Sequence, residues 1–179
     1  MRSTKITINR APVLTLWATV VAERLGYEHE AALTFGKAVA GLNAQSKGRR
    51  LGIFEEPTDQ HEARAPKGRE PREPFLVAML GRPVPSLNTE HGVRATIKGQ
   101  PIDPKPVRRY LEQKFGPALT AVQAAMEDLA KAYTPDQLAD QAYSPYERFR
   151  PAIPEGKKGW GAAGELDLNT IRSLARQSR

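Results

Sequence analysis

The chain has 179 residues and no cysteine, which excludes disulfides, thiolate nucleophiles and cysteine-ligated metal sites, and it is long enough to bury a substantial core. Its 27 Lys and Arg against 20 Asp and Glu give a net charge of +7, which favours acidic partners, nucleic acid first among them. The N-terminal apolar residues are spaced along a helix face, so we expect neither a signal peptide nor a membrane span, and a cytoplasmic protein.

Residues 1–54 predict a short strand followed by a helical hairpin. The alternation from Lys5 to Ile8 indicates the strand. Pro12 suits the first turn of a helix and Gly26 a C-terminal stop, so the first helix lies between them with a broad apolar stripe. A second helix is expected over residues 29 to about 43, where small side chains allow close helix–helix approach: Ala31, Ala32, Gly36, Ala38, Ala40 and Gly41.

The hairpin resembles the DNA-binding helix-turn-helix motif over about twenty residues, with Ala32 and Phe35 where core residues of the second helix belong. Ala22 lies four positions before the turn glycine, Gly26, which Leu25 and Tyr27 flank. The resemblance implies that the second helix faces DNA with Glu28, His29, Glu30, Leu33, Thr34 and Lys37. Two carboxylates and a leucine suit a groove poorly, because phosphates repel acids and leucine reads few base edges. A packed αα-hairpin is therefore the preferred interpretation.

The stretch NAQSKGRRLG at residues 43–52 is a candidate phosphate-binding segment. Asn43 and Gly48 are typical stop signals for the second helix, and the helix dipole favours a cation such as Lys47 near its end. Arg49 and Arg50 lie beyond the last expected turn, and that structural explanation covers them less well. The three cations together form a second predicted nucleic-acid site.

Residues 55–74 predict a flexible connector. Pro, Gly and charges of both signs dominate this stretch without periodicity, and it is too long for an ordinary ordered loop. We therefore expect a helical hairpin region at 1–54, the connector at 55–74, and a small α+β region at 75–179.

The third region predicts a small antiparallel sheet and four to five helices, which makes the fold α+β and mostly α. Residues 75–80 indicate a buried strand, and residues 93–98 alternate, with SLNTEHG as the intervening turn. Helices are expected over residues 103–115, 117–133, 134–143, 144–149 and 167–176, with Asp103 and Thr134 as N-caps. A loop rich in proline and glycine precedes the last of these helices.

The second basic block contains five cations that the sequence predicts on one surface. Lys105, Arg108 and Arg109 share one face of the helix over 103–115, while Arg94 and Lys98 project outward from the strand before it. The alternative is a solvated polar face that Glu112 partly balances.

Near the C-terminus, GWGAAG matches the glycine spacing of a dinucleotide fingerprint at residues 159–164. No strand precedes it and no further βα unit can follow it, so we expect no nucleotide cofactor. Lys157, Lys158 and Trp160 suit phosphate contact and base stacking, although a tryptophan that anchors its own loop is an alternative.

Catalytic and metal-binding patterns are sparse. His29, His61 and His91 have no metal-ligand spacing, and no nucleophile elbow or Walker A segment occurs. The leading hypothesis is a non-enzymatic protein that binds DNA or RNA through backbone contacts, in a role such as regulation. The alternatives are a protein-interaction or homo-oligomeric assembly module that uses the small-residue face of the second helix, and an enzyme with a site assembled from scattered residues.

Overall fold

Helices dominate the part of the chain that the structure describes, and two small antiparallel sheets accompany them there. The computed structural model describes residues 5–50, 74–97, 99–151 and 163–177, with only the backbone of 43–50 and 163. The expected α+β, mostly α fold, with a helix pair followed by a small sheet and further helices, is confirmed. In chain order the elements are β1 (Lys5–Asn9), α1 (Arg10–Arg24), α2 (His29–Arg50), β2 (Phe75–Met79), β3 (Arg82–Thr89), β4 (Gly92–Ile97), β5 (Gln100–Pro101), α3 (Pro104–Phe115), α4 (Leu119–Lys131), α5 (Pro135–Gln141), α6 (Tyr143–Phe149), β6 (Ala163–Asp167) and α7 (Leu168–Gln177).

Helix α1 lies at the centre of the core. Every residue from Pro12 to Ala22 is buried, so the apolar stripe predicted for one face is in fact a helix enclosed on all sides. Its polar side chains are satisfied internally: the Thr15 and Thr19 hydroxyls donate to the carbonyls of Ala11 and Thr15, each at 2.8 Å. The Trp17 indole N–H donates to the Ala142 carbonyl at 2.8 Å, which ties α1 to the C-terminal half of the chain.

The α1–α2 hairpin packs as closely as its small residues predict. Gly26 adopts a φ of +107°, a left-handed conformation that suits glycine at the turn. Helix α2 then passes α1 so closely that a Cβ on Gly36 would overlap the Thr19 hydroxyl and the Thr15 carbonyl. The expected end of α2 near Asn43 is wrong, because the backbone stays helical to Arg50. A glycine such as Gly48 weakens a helix by only about 1 kcal/mol and does not by itself end it.

The four-stranded sheet has the order β2-β3-β4-β5, and all its pairs are antiparallel. The sequence predicted SLNTEHG as a turn, but β3 runs through most of it and the turn lies at Glu90 and His91. The sequence did not indicate this strand because it contains Pro83 and Pro85, and proline is rare inside sheets. These prolines also limit its pairing. The β3–β4 register ends at the Ser86–Ala95 pair, because Pro85, the next residue of β3, has no N–H to donate to β4.

Helix α2 covers the edge of β4. The Ala95 N–H donates to the Thr34 hydroxyl at 3.0 Å, and the Ala95 carbonyl accepts from the Ile102 N–H at 2.9 Å. Both groups of Ala95 therefore point away from β3. Covering a sheet edge with a helix removes a template for unwanted strand pairing, and β4 is protected in this way.

The second sheet joins the two ends of the described chain. Strand β1, which the sequence predicts, pairs with β6 so that Lys5 lies opposite Asp167 and Ile8 opposite Gly164. Strand β6 falls in the segment predicted as a loop, and its pairing partner lies more than a hundred residues away. Residues of 1–54 and 75–179 contribute to one hydrophobic core, in which the Trp17 and Phe149 rings meet edge to face at 5.4 Å.

The predicted helix caps are present. An Asp103 carboxylate oxygen accepts from the Lys105 N–H at 3.0 Å, and Thr134 forms a reciprocal capping box with Gln137. The connector predicted at 55–74 lies outside the described residues except for Pro74. Among the described residues, no helix is both long and apolar enough to cross a membrane.

The α1–α2 approach yields a matched pair of glycine substitutions. We expect Gly36→Ala to lower the free energy of unfolding by about 1–3 kcal/mol, because the new methyl overlaps the Thr15 carbonyl. That carbonyl belongs to the backbone of α1, which cannot shift as easily as a side chain. Gly41→Ala is the control: a Cβ there meets nothing within 4 Å, so it should leave stability unchanged or raise it by about 0.5–1 kcal/mol. Urea denaturation followed by circular dichroism measures both, and equal effects would contradict the close approach.

Candidate nucleic-acid interface

Helix α3 presents one charged face and one buried face. Val107, Leu111 and Phe115 pack into the core, whereas Lys105, Arg108 and Arg109 are exposed. The spacing i, i+3, i+4 places the three cations side by side, as the sequence predicts. Because the opposite face packs on α1 and α2, the backbone that carries these cations is held in place.

The three cations have no carboxylate partner among the described residues. Lys5–Glu165 and Arg94–Glu30 are ion pairs and His29 contacts Glu23, and none of these contacts includes a residue of α3. Glu112 is exposed on the same face and reduces its net charge to +2. These cations are therefore available to an external anion.

The other flank of α3 carries a further cation that the sequence did not single out. Lys114 lies over the Tyr110 ring at 6.0 Å from the centroid, and burial raises the pKa of the Tyr110 hydroxyl. At 100° per residue, Lys114 projects about half a turn away from Lys105, so it extends the positive charge of the helix without joining the same face.

Arg94 does not belong to this surface, and the prediction that it projects into solvent is wrong. It is only 5% exposed, and its guanidinium donates to a Glu30 carboxylate oxygen at 3.2 Å and to the Val93 carbonyl at 2.9 Å. The reason is the position of α2, whose first turn covers this side of β4. The predicted alternation fails at its neighbours as well, since Thr96 is buried and the supposedly inward Ile97 is 40% exposed.

Several predicted contacts lie beyond what the structure describes. The side chains of Lys47, Arg49 and Arg50 are not among the described ones, although their backbone forms the end of α2. Lys98, Lys157, Lys158 and Trp160 lie outside the described residues. Their participation in the same surface remains a prediction.

Helix α2 does not present the face that a helix-turn-helix resemblance implies. Leu33 and Thr34 are buried at 1% and 0% exposure, because α2 packs against α1, α3 and β4. Glu28, His29, Glu30 and Lys37 remain exposed in and just before α2, but the carboxylates of Glu28 and Glu30 would repel phosphate. The preferred interpretation, a packed αα-hairpin, agrees with this burial.

A cleft of about 180 Å³ adjoins the basic face, and sequence patterns could not indicate it because residues of four helices line it. Its apolar lining comes from Leu16, Leu33, Leu111 and Leu119, and its polar lining from Thr19, His29, Arg108, Glu112 and Gln123. Arg108 therefore belongs to both features. His29 is held by the Glu23 carboxylate, with its Nδ1 at 3.0 Å from an oxygen of that group.

His91 does not line this cleft. His91 is exposed at the β3–β4 turn, where its backbone N–H donates to the Thr89 hydroxyl at 3.2 Å. Among the described residues, no group of three or more His, Asp or Glu side chains is arranged to hold a metal ion.

Comparison with protein-family models, with curated proteins and with solved structures gives no match. The geometry of α3 and its surroundings is therefore the basis for a functional proposal.

The burial of Arg94 predicts a structural role that can be separated from binding. We expect Arg94→Ala to lower the free energy of unfolding by about 2 kcal/mol, because the variant loses a buried aliphatic stem and two hydrogen bonds. Arg109→Ala, which removes an exposed side chain of the same type, should change stability by less than about 0.5 kcal/mol. Chemical denaturation of both variants is the measurement. If Arg94→Ala leaves the free energy of unfolding unchanged, the structural role is contradicted and Arg94 becomes a candidate for the binding surface again.

Proposed function

We propose that the protein binds nucleic acid, DNA or RNA, through the sugar–phosphate backbone, with Lys105, Arg108 and Arg109 as the primary contacts. One observation carries the proposal: these three exposed cations lie together on one helix face and form no ion pair with any described residue. A polyanion that contacts them releases its condensed counterions, and this release is the main driving force of backbone binding.

The way α3 is held favours this role. Its apolar side is already in the core, so binding need not order the backbone, and only the side chains lose conformational freedom. The net charge of +7 on the chain adds a long-range attraction for any polyanion.

The same placement favours backbone contact over base reading. One face of α3 is buried against its neighbours, so α3 cannot sink into a major groove as a recognition helix does. Contacts to phosphate fix position and orientation but carry little sequence information. We therefore propose binding with weak sequence preference.

The further predicted cations enter as secondary contacts. Lys98 directly follows β4, Lys47, Arg49 and Arg50 end α2, and Lys157 and Lys158 flank Trp160. By contrast, the assembly surface predicted on the small residues of α2 is largely occupied, since Ala31, Ala32, Gly36 and Ala38 are buried.

The proposal predicts that the binding affinity falls steeply with salt and that the cations of α3 account for much of this dependence. We expect the triple variant Lys105→Gln, Arg108→Gln, Arg109→Gln to bind roughly tenfold or more weakly at about 100 mM salt, and its plot of log affinity against log salt to be shallower by about 0.9 for each lost phosphate contact. Fluorescence anisotropy with single- and double-stranded DNA and RNA, at several concentrations between about 50 and 200 mM salt, measures both quantities.

The matched control is the triple variant Lys131→Gln, Arg172→Gln, Arg176→Gln. It removes the same charge from exposed positions on α4 and α7 and should retain most of the affinity. Equal losses in the two variants would assign binding to net charge alone rather than to α3. No binding by the unaltered protein at about 50 mM salt would end the proposal.

A further inference from the structure

Strand β2 is the edge of its sheet and lacks the usual protection of an edge. The strand Phe75–Met79 contains no charge and no proline, and its register with β3 runs without a bulge from Phe75–Ser86 to Met79–Arg82. Among the described residues no strand pairs with its outer side. Natural sheets normally blunt such an edge with lysine, proline or a bulge, because an open edge is a template for pairing.

The prolines of β3 determine which groups of β2 face outward. Pro83 lies opposite Ala78 and Pro85 opposite Leu76. A residue without an N–H cannot exchange a pair of ladder bonds, so the bonds to β3 fall on Phe75, Val77 and Met79. The N–H and C=O groups of Leu76 and Ala78 must then point away from the sheet.

The opposite side of β3 leads to the same assignment independently. Ala95 lies opposite Ser86, yet its N–H and C=O bond to Thr34 and Ile102, away from β3. Ser86 must therefore direct its own backbone groups toward Phe75, in agreement with the alternation derived from the prolines. Within the described chain, no hydrogen bond satisfies the outward groups of Leu76 and Ala78.

The side chains at this edge are apolar. Leu76 is 68% exposed, and Ala78, Pro83 and Pro85 are exposed on the same face of the β2–β3 ribbon. The hollow beside them is also lined by Arg82 and Asp140, one charge of each sign. The described residues of this hollow therefore carry no net charge in a chain of net charge +7, so a second copy meets less repulsion here than at a basic surface such as α3.

We propose that β2 pairs antiparallel with β2 of a second copy, which joins two four-stranded sheets into one continuous sheet across a twofold axis. The axis passes between the two Val77 residues, which lie opposite each other, and Leu76 of one copy lies opposite Ala78 of the other. Only this register satisfies all four outward groups in each copy. With Leu76 opposite itself, Ala78 would face Pro74, which has no N–H; with Ala78 opposite itself, Leu76 would face Leu80, whose φ of +54° takes it out of the strand.

The register also fits the side chains and predicts the strength of the dimer. The large Leu76 side chain lies beside the small Ala78 of the partner, so the exposed apolar face is shared between the copies. Two five-residue strands bury less than the roughly 1,200 Å² of a standard interface, so we expect a reversible dimer with a dissociation constant in the micromolar range. This association does not involve α3 and does not depend on the proposed nucleic-acid binding.

Sedimentation equilibrium of the full chain from about 1 to 500 µM, without nucleic acid, tests the association, because that range brackets a micromolar constant. The mass should rise from 19.8 kDa toward twice that value.

Ala78→Pro removes an N–H that makes no bond within the described monomer, and Leu76→Lys places a charge at the edge. Either variant should raise the dissociation constant at least tenfold with unchanged circular dichroism. Ile97→Lys is the control, because it charges an exposed apolar residue on β4, and it should dimerise like the unaltered protein.

The absence of cysteine allows the register to be tested directly. Val77→Cys should form a disulfide-linked dimer under mild oxidation, since residues facing each other in a non-hydrogen-bonded pair have Cα atoms about 4.5 Å apart. Ile97→Cys should cross-link at least tenfold less. The proposal is overturned if the protein stays at 19.8 kDa throughout, if both edge variants still dimerise, or if Ile97→Cys cross-links as readily as Val77→Cys.

Discussion

Enclosure of α1 on every side is the constraint on which the rest of the structure depends. A helix with no solvent face needs every polar side chain satisfied from within the core, and Thr15, Thr19 and Trp17 achieve this with carbonyl partners. It also needs neighbours close enough to exclude water, which is why Gly36 of α2 cannot carry a side chain. The bond from Trp17 to Ala142 adds the requirement that the C-terminal helices fold around the N-terminal hairpin.

The small sheet is attached to this core asymmetrically. Helix α2 reaches the β4 edge through the Thr34 hydroxyl and covers Arg94, whose guanidinium is paired with Glu30. The β2 edge at the other side has no such cover among the described residues. One edge is protected and the other is open because the first two turns of α2, with Glu30 and Thr34, pack beside β4 rather than beside β2.

The parts of the fold that the sequence could predict are those governed by local physics. The caps at Asp103 and Thr134, the turn at Gly26 and the amphipathic pattern of α3 all depend on residues within a few positions of one another. Strands β3 and β6 could not be predicted in this way, because prolines obscure one and the other depends on a partner at the opposite end of the chain. The alternation Val93, Ala95, Ile97 failed because it assumes one solvated face, and α2 covers the face assigned to solvent.

Arg94 and Arg108 show why the candidate site was only partly predictable. Both are arginines at positions where periodicity predicts a solvent-exposed side chain, but only Arg108 remains exposed and free of a carboxylate among the described residues. The difference does not lie in their local sequence. A helix packs over β4, whereas the corresponding space beside α3 is the cleft between four helices.

The two proposed surfaces have a common origin in the core. Helix α3 and strand β2 each direct one face of apolar side chains toward the interior, and both contact α1. Burial of those faces leaves α3 with a row of cations that forms no ion pair with a described residue, and it leaves β2 with backbone groups that no described residue satisfies. One surface therefore offers charge without directionality, which suits a phosphate backbone of any sequence. The other offers directional hydrogen bonds without charge, which suits pairing with a strand in one register.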